Sequence, residues 1–314
     1  MDIKYSIIIP LYNKEDFIKN TILSIKNQNY KNYEIIVIDD MSKDKSFSNV
    51  TELKKELNYG ELFIYRNEKN SGVVLTRNKG IELANGDYLI FLDADDELAD
   101  VNFLNNINNY IKQYNAEYIL TTRNYYGKFL KPNFKFIRKY LSLLNKDFYK
   151  VTNNRKVVLK GNFPFGGSAS AVIARELLNN HRFDNEESAY EDWLFFIKLF
   201  LKTEVYYYRP AAVKVNYDNN SLSNSKEINK NVIPKLPKLL SYLNESEENS
   251  QLRKRFFWIW MTGVIRRNRA KSNIRKIVQL YKAYMYKNLV LNKYSIYCIS
   301  MILIFLIKRE TSKS

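Results

Sequence analysis

Residues 88 to 98 read Tyr88-Leu89-Ile90-Phe91-Leu92-Asp93-Ala94-Asp95-Asp96-Glu97-Leu98: five residues suited to a buried strand, then four carboxylates in five positions. A strand that ends in clustered acids places them at the carboxyl edge of a sheet, where open α/β folds bind ligands. Like charges this close repel one another unless a cation lies among them, and hard oxygen ligands select Mg²⁺ or Mn²⁺. The stretch reads as a metal site that grips a phosphorylated ligand. The plainer alternative is a solvated acidic turn that caps the next helix.

Upstream, Lys4 to Ile9 is a β-rich run closed by Pro10, and a helical pattern opens at Tyr12 and continues through Phe17, Ile18, Ile22 and Ile25. A second strand, Tyr33 to Ile38, ends in Asp39-Asp40, so two strands deliver acids at their carboxyl ends. Met41 to Asp44 is a polar turn, a helix follows to about Leu57, and Glu61 to Tyr65 is a third strand. Asn67 to Gly72 forms a loop, Val73 to Ala84 a helix, and Gly86 a left-handed helix stop. Strand and helix alternate, which predicts an α/β fold with a mixed, mostly parallel Rossmann-like sheet flanked by helices. Neither G-x-G-x-x-G nor the P-loop pattern occurs, which argues against a conventional dinucleotide or P-loop site.

Downstream, a helix over about 101–114 and a strand over 117–122 keep the rhythm, and residues 124–160 blur into basic and aromatic residues with no readable pattern. Ser168 to Ala174 alternates like a strand. Ala189 to Leu201 reads as a helix carrying Glu191 and Asp192 in its first turn, and Glu204 to Tyr208 as the last strand. Polar and proline-bearing stretches then divide the chain into an α/β domain over 1–217, a linker with a short helix over 218–250 and a tail over 251–314.

At 314 residues with 46% apolar and 26% charged residues, the chain has the composition of a folded globular protein. One cysteine excludes internal disulfides and Cys-rich metal centres, and one histidine leaves carboxylates as the expected bases. The first apolar run stops at Pro10, too short for a cleavable signal, which points to an intracellular protein. Of the net charge of +17, residues 253–309 supply 14 Lys/Arg with no Asp or Glu, so the basic character belongs to the tail.

Five segments, SIIIPLYN (6–13), VIDDMSKDKS (37–46), NSGVVLTRNKGI (70–81), YLIFLDADDEL (88–98) and YEDWLFFIKLF (190–200), together resemble the family 2 glycosyltransferases of GT-A type. The resemblance covers residues 6–200 and implies a nucleotide-sugar donor, most often UDP, with Mn²⁺ or Mg²⁺, and a catalytic domain over 1–217 with its nucleotide half at 1–100 and its acceptor half at 101–217. It implies that Pro10, Tyr12, Asn13, Asp39, Asp40, Gly72, Arg77 and Asp93 form the nucleotide site, Asp40 reading the uracil N3 proton. Asp93 and Asp95 would ligate the metal. Asp192 resembles the catalytic base, with Glu191 as competitor, and Gly166, Gly167 and Trp193 would border the acceptor. Each has a plainer reading: Asp39 and Asp40 as turn caps, Arg77 as a surface ion pair, Gly166-Gly167 as a turn, Glu191 or Asp192 as an acid offsetting the helix dipole. Asp96 is expected to cap a helix or support the site, and His181 to be a surface group. Where many relatives carry a histidine after the last strand this chain has Asp218-Asn219-Asn220, which leaves one phosphate contact unassigned.

In the tail, Phe256 to Ile265 is an apolar block, and Ile274, Ile277, Val278, Tyr281 and Tyr284 recur at helical spacing among Arg275, Lys276 and Lys282. Basic amphipathic helices of this kind lie on anionic lipid. Tyr294 to Ile307 gives about 21 Å of helix against roughly 30 Å of hydrocarbon, too short to span. A helical cap or a dimer partner is the alternative, and basic residues set around apolar stripes favour lipid over nucleic acid. The expectation is an inverting, metal-dependent glycosyltransferase acting on a surface polysaccharide or lipid-linked glycan, cytoplasmic and peripheral on the inner face of the membrane. A nucleotidyltransferase is the rival, though Pro10-Leu11-Tyr12-Asn13 lacks the glycine its phosphate loop would need. A non-catalytic nucleotide-sugar or polyanion-binding module is the second.

Overall fold

β1 (Tyr5–Leu11) and β2 (Tyr33–Asp39) are runs of Ile and Val with few polar breaks, and such runs are stable only where both faces are covered. The two pair in parallel, Tyr5 opposite Tyr33 through Leu11 opposite Asp39. β3 (Leu62–Arg66) adds outside β2, and β4 (Tyr88–Phe91) lies on the other side of β1, both parallel. The computed structural model describes residues 2–125, 128–130, 138–160, 171–185, 191–216, 238–243, 249–267, 271–287 and 293–307. The chain divides into two units, one of Met1–Glu186 with Tyr190–Asp218, the other of Glu187–Ala189 with Asn219–Ser314.

In the first unit the sheet runs β3-β2-β1-β4-β10-β6-β11-β9-β8. β6 (Tyr118–Tyr125) and β11 (Tyr206–Val215) are parallel to each other, and β10 (Ala171–Ala174) is inserted antiparallel between β4 and β6. β8 (Leu141–Asn145) and β9 (Phe148–Val151) form a hairpin on β11, and β7 (Lys128–Leu130) pairs with β6. The sheet is mixed, and β1, β2, β3, β4, β6 and β11 share one direction.

Strand alternation sends Ile7, Ile9, Ile35, Val37, Ile90 and Leu92 into one core with α1 (Ile18–Lys26), α2 (Ser46–Glu56) and α4 (Phe103–Tyr114). On the opposite face α3 (Val73–Leu83) lies on β1 and β2. There Phe91 meets Phe195 and Phe196 of α6 (Glu191–Lys202), with ring centroids 5.9 and 6.4 Å apart. α5 (Asn154–Lys160) precedes that helix in the chain.

Four expectations are corrected. α1 begins at Ile18, because residues 13 to 15 spend their amides on Ser42, Ser46 and Asp44 in the loop after β2. Asp96 does not cap α4, which leaves its supporting role: it sits in β5 (Asp96–Leu98), antiparallel to Val213–Val215 of β11, while α4 starts after Asn102. Gly86 has no positive φ, and is needed because a Cβ there would lie 2.6 Å from Ser6 N and 2.8 Å from Lys4 O. Residues 138–160, unreadable in sequence, include the β8–β9 hairpin and α5.

The second unit holds α7 (Lys238–Tyr242), α8 (Ser250–Arg267), α9 (Lys271–Lys287) and α10 (Lys293–Ile307). The apolar block of α8 is buried: Phe257, Trp258, Met261 and Ile265 are inaccessible, Trp260 meets Tyr281 edge-on at 5.0 Å, and Thr262 Oγ1 lies 3.3 Å from Cys298 Sγ of α10. Among the described residues no helix is long and apolar enough to cross a membrane.

Candidate active site

The chain runs outward from β1 to β2 and β3 and returns to β4 on the other side of β1, so its direction reverses between β1 and β4. Ligands of open α/β sheets bind in the crevice at such a reversal, beyond the strand carboxyl ends. The ladder between β1 and β4 stops at Ile8 opposite Phe91, with Leu92 N donating to Ile8 O at 3.0 Å. Pro10 lies two residues further along the same edge, where a missing N–H costs no ladder bond. On the β2 side, Asp40 N still donates to Leu11 O at 2.8 Å. The crevice therefore opens between Pro10-Leu11-Tyr12 and the acidic turn after β4.

Tyr12, just past β1, is 40% exposed and offers a ring to stack on. Asn13 is left-handed, with φ 50°, and its amide donates to Ser42 Oγ while its Oδ1 accepts from Lys43 N. The short polar side chain of Asn suits that conformation. It locks the Tyr12 turn onto the loop after β2.

Asp39 is fully buried, paired with Arg66 Nε at 3.0 Å and accepting from Ser42 N. Asp40 is 4% exposed and holds the loop between β3 and α3: Oδ1 accepts from Asn67 Nδ2 and Ser71 N, Oδ2 from Gly72 N, each at 2.8 Å. Gly72, with φ 85°, starts α3 in a conformation that other residues rarely adopt. Asp40 thus shapes this loop from beneath.

One turn into α3, Arg77 reaches across to Asp93, Nη2 to Oδ1 at 3.1 Å. Its guanidinium lies 5.5 Å from the centroid of Phe183, which stacks on Phe195 at 3.8 Å. Asn78 and Phe183 exchange a pair of hydrogen bonds, Asn78 Nδ2 to Phe183 O and Phe183 N to Asn78 Oδ1. Phe183 therefore links α3 to α6. Asp192 is half-buried and precedes Phe195 by three residues, within about 4.5 Å of rise along the helix. The Phe91–Phe195 contact sets this end of α6 above the carboxyl end of β4, the strand that carries Asp93 and Asp95.

Asp95 Oδ2 accepts from Lys14 Nζ at 2.5 Å, and Thr21 Oγ1 of α1 holds the same turn by donating to Ala94 O at 2.9 Å. Burial raises the pKa of Asp95, the bond and charge of Lys14 oppose it, and Asp93 adds to the rise. Burial, then Asp93 and Asp95, push Asp96 well above the usual carboxylate range, against Arg123 and the backbone N–H of Asn216. Burial is the first cause of both rises, and each acid faces a cation: Asp93 meets Arg77, Asp95 meets Lys14 and Asp96 is opposed by Arg123. Hard oxygen donors are the donor set of Mg²⁺ or Mn²⁺, so Asp93 and Asp95 fit as two carboxylate ligands of a divalent ion, although among the described residues no group of three or more His, Cys, Asp or Glu stands arranged to hold one.

Tyr12, Asp40, Gly72, Arg77, Asp93 and Asp95 are thus gathered at one sheet edge. The backbones of Glu191 and Trp193 lie in α6 beside Asp192, and their side chains, like Gly166, Gly167 and Asp218 to Asn220, lie outside the described residues. Sequence reasoning missed Lys14, Ser71 and Phe183. Lys14 was signalled by a lone cation between Asn13 and Glu15, whereas Phe183 is recognisable only once α3 and α6 pack. His181 is half-buried and not the surface group expected: its ring centroid lies 4.5 Å from that of Phe195 with the planes tilted by 41°, and Nε2 bonds Phe195 O at 2.8 Å.

The model of the family described as Glycosyl transferase family 2 matches residues 6–182, more than half the chain. The chain belongs to glycosyl transferase family 2. Among its relatives is an uncharacterized glycosyltransferase of Haemophilus influenzae, 30% identical over 228 residues, covering 70% of this chain and 82% of that protein. S. aureus TarS in complex with UDP-GlcNAc superposes with a TM-score of 0.63 at 20% identity over 81% of this chain and 71% of that one. The mannosyltransferase PcManGT of Pyrobaculum calidifontis, in complex with GDP-Man and Mn²⁺, superposes with a TM-score of 0.56 at 12% identity over 100% of this chain and 89% of that one. At such identities the structures share the GT-A fold with this family 2 glycosyltransferase. They carry different nucleotides, so the fold alone does not select the base.

Proposed function

We propose that this glycosyltransferase is inverting and metal-dependent, and moves a sugar from a nucleoside diphosphate, with UDP the favoured nucleotide, to a hydroxyl of a surface polysaccharide or lipid-linked glycan. The observation that carries the reading is the gathering of Tyr12, Arg77, Asp93 and Asp95 at the β1/β4 reversal. In this reading the base lies on the exposed face of Tyr12 and against the loop that Asp40 shapes. Pro10 and Asn13 fix the turn that presents Tyr12, Asp39 buttresses it through Ser42, and Gly72 with the following amides of α3 faces the phosphates. Arg77 orients Asp93. A divalent ion held by Asp93 and Asp95 supplies charge stabilisation for the departing diphosphate.

Asp192 is the proposed base. Its carboxylate takes the acceptor hydroxyl proton as that oxygen bonds to the anomeric carbon, and the bond to the diphosphate breaks on the opposite face, its electron pair leaving with the diphosphate. The configuration inverts. Glu191 is the competing base, and Gly166, Gly167 and Trp193 are proposed to border the acceptor. Replacing Asp192 with Asn should leave nucleotide-sugar affinity within a few fold and lower turnover about 10²- to 10⁴-fold. A fully active Asp192→Asn enzyme, with Glu191→Gln inactive, would move the role to Glu191.

We also propose that the second unit rests on an anionic membrane on the cytoplasmic side, which would bring a lipid-linked acceptor within reach. On α9, Leu280, Tyr284 and Tyr286 are exposed beside Lys276, Lys282 and Lys287, a mixture of apolar and basic groups suited to a lipid headgroup layer.

A further inference from the structure

Lys14 belongs to no part of the nucleotide-sugar chemistry described above, yet it makes the closest cationic contact to the proposed metal ligand. Its Nζ stands 2.5 Å from Asp95 Oδ2, and both side chains are largely buried, 16% and 15% exposed. A carboxylate offers about four lone-pair sites on its two oxygens, so the ammonium does not block ligation outright; it sets a like charge beside any divalent ion that Asp95 would hold, and that repulsion is relieved when the ammonium moves away. The Lys14 backbone is pinned: its N–H donates to Ser46 Oγ at 2.7 Å, directly after the left-handed Asn13. The four-carbon stem is the part that can swing. Lys14 follows Tyr12 by two residues, so an ammonium displaced from Asp95 stays beside the site where a diphosphate would lie.

We propose that Lys14 is the resident cation of the acidic site: it holds the Asp95 carboxyl group in place before the metal arrives, competes with the free ion, and passes to the diphosphate when metal and nucleotide enter together. The inference rests on Asp93 and Asp95 forming the metal site. It predicts that the nucleotide-free protein binds a divalent ion weakly and that the ion is recruited with the nucleotide.

The test titrates Mn²⁺ into the full chain, following free Mn²⁺ by electron paramagnetic resonance, without nucleotide and then with saturating UDP. Without nucleotide, Lys14→Met should bind Mn²⁺ at least tenfold more tightly than wild type, and Lys14→Arg, which keeps the charge, should remain weak. With UDP present the advantage of Lys14→Met should disappear or reverse. Lys14→Gln repeats the measurement should the Met variant fold poorly, and Asp95→Asn should abolish binding. Equal or weaker nucleotide-free Mn²⁺ affinity in the uncharged variants overturns the role of Lys14 while leaving the metal site standing. Absence of Mn²⁺ binding even with UDP, or full binding by Asp95→Asn, overturns the metal site as well.

Discussion

Asp40 and His181 show how much a single side chain's neighbours decide. Both oxygens of Asp40 accept from the Asn67–Gly72 loop, so an Asn at this position turns an NH₂ group toward one of those donors whichever way its amide is placed. Loss of that charge-assisted bond should cost about 1–3 kcal/mol and loosen the loop. Asp40→Asn is therefore expected to weaken nucleotide binding together with amide-exchange protection at Ser71 and Gly72. Weakened binding with protection intact would point instead to direct contact with the base. His181 is held neutral: burial lowers its pKa to about 4, against its bond to Phe195 O and with help from Lys198, Lys202 and Arg182. An unfolded histidine titrates near 6.5, so the unfolded state binds the proton first and the His181 contribution is complete above about pH 6.5 and lost as pH falls toward 4. As the chain has one histidine, its imidazole signal is assigned without mutagenesis, and titration near 6.5 in the folded protein would contradict the burial argument. The acids of the site were legible in the sequence because chemistry restricts which residues can hold a hard cation. The environments of Asp40 and His181 were not, since their partners lie 27 to 32 and 14 residues away.

At the scale of elements, strands buried on both faces announced themselves and a strand borrowed from a loop did not. β1, β2 and β4 are apolar enough to be read directly. β5 is Asp-Glu-Leu, and it becomes a strand because Val213 to Val215 of β11, more than a hundred residues away, offers it a ladder. The hairpin of β8 and β9 was hidden for a similar reason, since Leu141–Asn145 is mostly exposed and has no clean alternation. Gly86 exposes the limit of local rules, which offered a left-handed stop where the requirement is close passage past β1. Gly86→Ala would press a methyl against Ser6 N and Lys4 O, backbone atoms that cannot rotate away, and should destabilise the protein by about 1–3 kcal/mol. A denaturant midpoint unchanged in that variant would show that the start of β1 can yield.

For the whole molecule, the separation of charge matches the division into units: an acidic crevice in the first, a basic helical unit in the second. The apolar block of α8 had suggested a lipid-facing surface, and it is instead the buried core of its unit, so the proposed membrane docking is assigned to the exposed face of α9. Leu280→Asp with Tyr284→Asp should abolish co-flotation with anionic liposomes while leaving nucleotide binding unchanged, and flotation equal to wild type would remove α9 from the membrane proposal. At the centre of the proposed function a nucleoside diphosphate is gripped through a divalent ion at Asp93 and Asp95. Calorimetric titration of UDP, with GDP as a second nucleotide, into wild type and Asp95→Asn with and without Mn²⁺ tests it most directly. Wild type is expected to bind at least tenfold more tightly with Mn²⁺ and the variant to show no gain; equal affinity with and without the ion, or a variant that keeps the full gain, would contradict a metal grip at these acids.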